Sequence, residues 1–97
     1  MNRVELLARL AQAEPLRHTP AGLPVLRMQL EHESEVLEAG LPRAVTLSLK
    51  AVALGELAVT LARVQANSEI QVVGFLAPQR QGSDRLVLHI QQLVSAH

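Results

Sequence analysis

Alternation of apolar and polar residues is the main pattern along the chain, and together with segments rich in β-branched residues it predicts four β-strands. In the clearest case, Ala44–Lys50, every second residue is Val or Leu and the residues between are Thr, Ser and Lys. That spacing is typical of a strand buried on one face. The predicted strands are Pro24–His32, Ala44–Lys50, Glu69–Ala77 and Arg85–Leu93. Within the third of them, Gly74 indicates a bulge or a bend.

Residues 51–63 have a different spacing. From Leu54 onward, apolar residues recur at i, i+3, i+4 and i+7, and Ala, Leu and Glu dominate the segment. This pattern predicts a short helix over Ala51–Arg63.

The first fourteen residues give conflicting signals. They are strong helix formers throughout, so propensity favours a helix, but an imperfect alternation from Val4 to Leu10 is compatible with a strand. A strand gives the order β-β-β-α-β-β, which is that of a five-stranded OB barrel. A helix gives an α+β fold instead.

Composition restricts the class of protein. The 97 residues predict one domain, residues 1–97, and the 9 basic residues balance the 9 acidic ones. The absence of Cys excludes disulfides, thiolate zinc sites and a Cys nucleophile. With one Phe and no Tyr or Trp, the chain lacks the aromatic platform of most single-strand-binding domains. Neither a signal peptide nor an apolar run of membrane-spanning length is present, so we expect a cytoplasmic protein.

Catalytic motifs are also missing. The sequence contains no phosphate-binding loop, nucleophile elbow or paired catalytic carboxylates, so we expect no enzyme activity, no cofactor and no small-molecule substrate. Glu31, Glu33, Glu35 and Glu38 crowd around His32, but nothing fixes a coordination geometry, and we expect no metal site. Residues 34–38 are predicted as a mobile loop. Its acidic residues form either a solvated loop or a docking patch for a basic partner.

Two further residues are candidates for an interior position. Phe75 is the only aromatic residue and lies in an apolar strand, and His89 stands between Leu88 and Ile90. We expect both to lie in the core or in a subunit interface.

Several short motifs, in a fixed order, together resemble a known family. They are Asn2–Val4, Glu14–Arg17, Thr19–Pro24, Leu30–His32 with Ser34, Glu38–Gly40, Arg43, Val72–Leu76 and Leu86–His89. Each is weak alone, but their order and spacing resemble the primosomal replication protein N (PriB) family of bacterial replication restart, over essentially the whole chain.

The resemblance implies an all-β fold: a five-stranded OB-fold Greek-key barrel with one short helix between strands 3 and 4. It implies that residues 2–13 form the first strand, against their helix propensity. It also implies a homodimer that is not an enzyme and that binds single-stranded DNA, the restart helicase PriA and other primosome proteins.

The family's nucleic-acid-binding positions carry over only in part. They correspond here to Arg17, His18, Arg43, Thr46, Arg80 and Arg85. Lys50 is a further nucleic-acid-binding candidate, because the alternation places it on the same strand face as Thr46 and Ser48. The family has a basic residue where this chain has His18, a Trp where it has Thr46, and a basic residue where it has Glu33. Because Thr46 cannot stack on a base and Glu33 repels phosphate, we expect weak DNA binding.

These departures leave a second hypothesis open. The protein is then an adaptor with little or no DNA binding, and Glu33, Glu35 and Glu38 bind its protein partner.

Overall fold

The computed structural model describes all residues from Met1 to His97. The chain forms six strands and one short helix. The strands are β1 (Val4–Ala13), β2 (Arg17–His18), β3 (Pro24–Glu38), β4 (Leu41–Leu54), β5 (Glu69–Pro78) and β6 (Leu86–Ala96), and helix α1 (Glu56–Ala62) lies between β4 and β5. No helix is long and apolar enough to cross a membrane.

The five long strands close into a barrel. The sheet order is β1-β5-β6-β4-β3-β2, and β1 also pairs with β3, which joins the two sides of the sheet. All pairings are antiparallel except a short parallel contact in which Ala51 and Val52 of β4 face Leu88 and His89 of β6. The result is a mostly β, OB-like mixed barrel, and the helix follows the third long strand as expected. The two-residue β2 is an addition that the pattern did not predict.

The barrel interior is aliphatic. Thirteen buried residues form one core cluster, and no polar or charged side chain is buried. From α1, Ala58 and Leu61 point into this core and are fully buried. A core of Leu, Val, Ile, Met and Ala matches the near absence of aromatic residues in the sequence.

The first segment is a strand, as the resemblance implied and against its helix propensity. Ala8 and Leu10 are buried while the intervening Arg9 is exposed, so the side chains alternate between the two faces. β1 pairs with β5 over Val4–Arg9 and with β3 over Arg9–Ala13. Because both neighbours supply backbone hydrogen bonds, tertiary pairing outweighs the local preference.

The predicted start of the helix was wrong. Residues 51–54 end strand β4, and α1 begins only at Glu56, after Gly55 with a φ of 72°. Ala51, Val52 and Ala53 are all buried, so both faces of the strand are covered at this end, and β3 and β6 pair with its two edges. A strand buried on both faces shows no alternation in its sequence.

The predicted loop at residues 34–38 is also wrong. β3 continues to Glu38 and pairs with β4 in unbroken register as far as the Glu38–Leu41 pair. Ala39 and Gly40 connect the strands with φ values of 53° and 78°, and two positive φ values are characteristic of a tight type I′ hairpin turn. Residues 32–47 thus form a long two-stranded hairpin, hereafter the arm. The arm extends beyond the part of β3 that pairs with β1, which ends at Glu31.

The irregularity predicted at Gly74 is confirmed. The pairing of β5 with β6 shifts register between Val73 and Gly74. At this point the backbones come so close that a Cβ atom on residue 74 would lie 2.0 Å from the carbonyl oxygen of His89. Only glycine fits the observed geometry.

Candidate nucleic-acid interface

An open groove on the barrel surface collects four cationic side chains. Its volume is about 670 Å³. The cations that line it are Arg27 from β3, Lys50 from β4, and Arg80 and Arg85 from the β5–β6 loop. Gln12, Gln29 and Gln79 add amide groups, and Glu14 supplies the one carboxylate. The lining therefore combines positive charge with hydrogen-bond donors, which suits a phosphate backbone.

The four groove cations are free to bind an anion. The ion pairs of the structure use Arg3, Arg9 and Arg43, and none involves a groove cation. All four side chains are exposed. A neutral chain thus carries a local basic surface, because four cations and only one carboxylate line the groove.

Backbone hydrogen bonds shape the loop that carries Arg80 and Arg85. The Gln79 N–H donates to the Arg85 carbonyl at 2.7 Å and closes the loop at its base. Within the loop, the Ser83 N–H donates to the Arg80 carbonyl at 3.0 Å. The Arg85 N–H donates to Ser83 Oγ, also at 3.0 Å. The loop is a compact turn, and it holds both arginines on the groove.

Arg27 was missed as a candidate site residue. It occupies an outward position of β3, beside Gln29 on the same face, and Gln29 is paired with Lys50 across the strands. The only indication in the sequence was that Arg27 is one of the polar, outward positions of the alternating segment Pro24–His32. Nothing local in the sequence distinguishes a groove residue from any other outward arginine, since the groove is formed only when the strands pair and the β5–β6 loop folds beside them.

Arg17 and His18 lie outside the groove. They form β2 and pair with Val25 and Pro24 at the start of β3, where both side chains are exposed. Arg17 faces Val25, two residues before Arg27 and on the same strand face, so Arg17 extends the basic surface along β3, whereas His18 faces Pro24 on the opposite strand face.

Arg43 and Thr46 lie on the arm, away from the groove. Arg43 donates to Glu38 Oε1 at 2.7 Å, and this ion pair neutralises its charge. Thr46 shares a strand face with Ser48 and Lys50, as the alternation predicted, but it stands four residues from Lys50, about 13 Å along the strand. Its cross-strand neighbour is Glu33.

The arm carries most of the clustered acidic charge. Glu31 pairs with Arg9 and Glu38 with Arg43, whereas Glu33 and Glu35 have no ion-pair partner and are exposed. Across the strands these two face Thr46 and Ala44, whose short side chains leave the carboxylates accessible. The molecule is therefore electrostatically divided into a basic groove and an acidic arm.

Comparison with known proteins identifies the family. The model of "Another single-strand binding protein family" matches residues 2–92. Replication restart protein PriB of Bordetella pertussis is 55% identical over 92 residues, which covers 95% of this chain and 86% of that protein. The chain belongs to the PriB family of replication restart proteins. PriB and its single-strand-binding relatives are non-enzymatic DNA-binding proteins, in line with the lack of catalytic motifs.

More distant PriB proteins also match. Replication restart protein PriB of Nitrosomonas europaea is 32% identical over 90 residues, 93% of this chain and 83% of that protein. The solved structure of PriB from Ralstonia solanacearum superimposes with a TM-score of 0.88 at 35% identity, over 100% of this chain and 99% of that one. Single-stranded DNA binding protein from Thermus aquaticus shares the fold, with a TM-score of 0.73 at 22% identity, over 100% of this chain and 53% of that one.

Proposed function

We propose that this PriB-family chain is a non-enzymatic accessory factor of the replication-restart primosome. It binds single-stranded DNA weakly, docks on the restart helicase PriA and promotes reloading of the replicative helicase. The proposal includes the full Greek-key OB topology and a cytoplasmic location. Its main support is the groove, in which four cations without ion-pair partners line one surface of an OB-like barrel.

DNA binding in the groove is electrostatic in this proposal. Arg27, Lys50, Arg80 and Arg85 neutralise phosphates and release counterions, so affinity falls as salt rises. Arg17 extends the track along β3, and His18 lies next to it in β2. Thr46 contributes no stacking and Glu33 opposes phosphate beside it, so the arm adds little affinity.

The experiment is fluorescence anisotropy of labelled oligo-dT, titrated with the protein at low and at high salt. We expect saturable binding that weakens steeply with salt. The Arg80→Ala variant should lower both the affinity and the salt slope. Absence of binding to oligo-dT at low salt would contradict DNA binding.

A second candidate function is that of a protein adaptor with little DNA binding. The acidic arm favours it, because Glu33 and Glu35 are exposed and unpaired and suit a basic partner surface. Binding to oligo-dT distinguishes the two functions: an adaptor binds PriA but not oligo-dT, whereas the DNA-binding accessory factor binds both.

The homodimer is proposed from the edge of β1. Over Val4–Ala8 this strand pairs with β5 on one side and with no strand on the other. Leu7 on this stretch is 46% exposed. The Nδ1 atom of His32 lies 2.6 Å from the Leu7 carbonyl oxygen, so one side chain of the arm covers part of this edge. The remaining strand edge, with its exposed apolar side chain, suits pairing with a second copy, which protects the edge from other chains. Light scattering at micromolar concentration tests this, and a monomeric mass would contradict it.

A further inference from the structure

The only aromatic pair of the molecule lies next to the groove. The rings of Phe75 on β5 and His89 on β6 stack with centroids 4.9 Å apart and planes inclined by 9°. The two residues face each other directly across the strands. Both side chains are half-buried, so the stack stands at the surface of the barrel and not in its core.

His89 also lines a small cavity of about 200 Å³ that Phe75 does not reach. One side of the imidazole is therefore covered by Phe75, and the histidine is in contact with the cavity. Leu54, Val25 and Val87 supply apolar walls. Leu54 remains 48% exposed, so the cavity opens to solvent.

This cavity is continuous with the groove. Arg27, Gln79 and Val87 line both. A ligand that places anionic groups along the groove therefore has an apolar, aromatic-walled recess directly beside them. The recess is smaller than the sites that take drug-sized ligands, so it suits one small planar group.

We propose that His89, supported by Phe75, is a stacking platform for one nucleobase of the single strand whose phosphates lie in the groove. This inference rests on the proposed DNA-binding function and adds an aromatic contact that the composition did not predict. Every base has a π face, so such a platform is tolerant of sequence. The Arg27 guanidinium and the Gln79 amide stand where they can contact the sugar–phosphate or the base edge.

The platform explains how a chain without Trp retains base contacts. Alone, an imidazole is a small and mobile surface. Stacking on Phe75 fixes its orientation, and placement on paired strands restricts it further. A fixed platform loses less conformational entropy when a base stacks on it.

The test uses the lack of Trp and Tyr in this protein. The His89→Trp variant has a single tryptophan at the platform, and we expect oligo-dT to quench its fluorescence. An oligonucleotide of the same length with abasic sites throughout should bind the groove without quenching. A Thr60→Trp variant places the reporter on the exposed face of α1 and should respond to neither oligonucleotide.

Affinities of further variants, measured by anisotropy, give a second readout. We expect His89→Ala to lose about five- to tenfold in affinity for oligo-dT and less than twofold for the abasic strand. His89→Phe should retain wild-type discrimination between the two strands, and His89→Leu should lose it. The latter pair decides the question even if the alanine variant fails to fold.

Two negative results are distinguishable. If wild-type protein binds oligo-dT but His89→Ala and His89→Leu bind it within twofold of wild type, and His89→Trp is not quenched, the platform is wrong and DNA binding stands. If wild-type protein does not bind oligo-dT at low salt, the proposed function fails and the platform fails with it.

Discussion

Gly74 lies so close to the backbone of His89 that no residue with a side chain fits at position 74. A Cβ atom on residue 74 would lie 2.0 Å from the His89 carbonyl oxygen and 3.1 Å from the Ile90 Cα. The contacts are with backbone, which cannot rotate away. The absence of a side chain at Gly74 thus allows the β5–β6 pairing that places Phe75 against the His89 ring.

Gly74→Ala should destabilise the protein by about 3 kcal/mol, because the added methyl group forces the two strands apart. Urea denaturation followed by circular dichroism measures the loss. Gly82→Ala is the matched control, since a Cβ there meets open space and the cost is only the positive φ, about 1 kcal/mol. Equal losses in the two variants would contradict the steric explanation.

Arg27→Ala should weaken oligo-dT binding and reduce the salt slope by about 0.7, the loss of one phosphate contact on a single strand. Arg43→Ala should have a smaller effect, because its guanidinium is paired with Glu38 away from the groove. Anisotropy titrations at several salt concentrations measure both quantities. Arg63→Ala, at the end of α1 and outside the groove, is the control. A larger effect for Arg43 than for Arg27 would move the DNA path onto the arm.

Thr46→Trp should strengthen oligo-dT binding. It places an indole on the outward face of β4, the face that carries Lys50, and base stacking contributes about 1–3 kcal/mol. The affinity should rise at least fivefold in anisotropy titrations. Thr60→Trp on α1 controls for a nonspecific effect of the indole. Unchanged affinity in Thr46→Trp would indicate that the bound DNA leaves the protein surface before it reaches the arm.

The double variant Glu33→Lys with Glu35→Lys should separate the two proposed activities. It removes two unpaired carboxylates from the arm and adds two positive charges, so if the arm docks on PriA as proposed, binding to PriA should weaken about tenfold or more. The same change should leave oligo-dT binding unchanged or stronger. Calorimetry with PriA and anisotropy with oligo-dT measure the two effects. Glu56→Lys on α1 is the control, and equal loss in both variants would contradict a docking role for the arm.

The alternation of apolar and polar residues was sufficient to predict a strand where one face of the strand is buried and the other is exposed. Alternation located parts of β3 and β4 and the outward position of Lys50, and the glycine inside an apolar strand indicated the irregularity at residue 74. It failed at Ala51–Leu54, where both faces are covered, and at residues 34–38, where polar residues continue a strand in the arm. In β1, helix formers became a strand because two neighbours pair with it.

The sequence by itself determined an aliphatic core, a neutral total charge and a polar set from which a binding surface could be drawn. Only the tertiary structure decided which of those polar residues meet. Arg27, Lys50, Arg80 and Arg85 come from three separate segments, and strand pairing together with the hydrogen-bonded β5–β6 loop brings them to one groove. The same pairing places Phe75 on His89 and separates Arg43 and Thr46 from the groove. The physical reason is that register across strands is a long-range property, whereas periodicity along one strand is local.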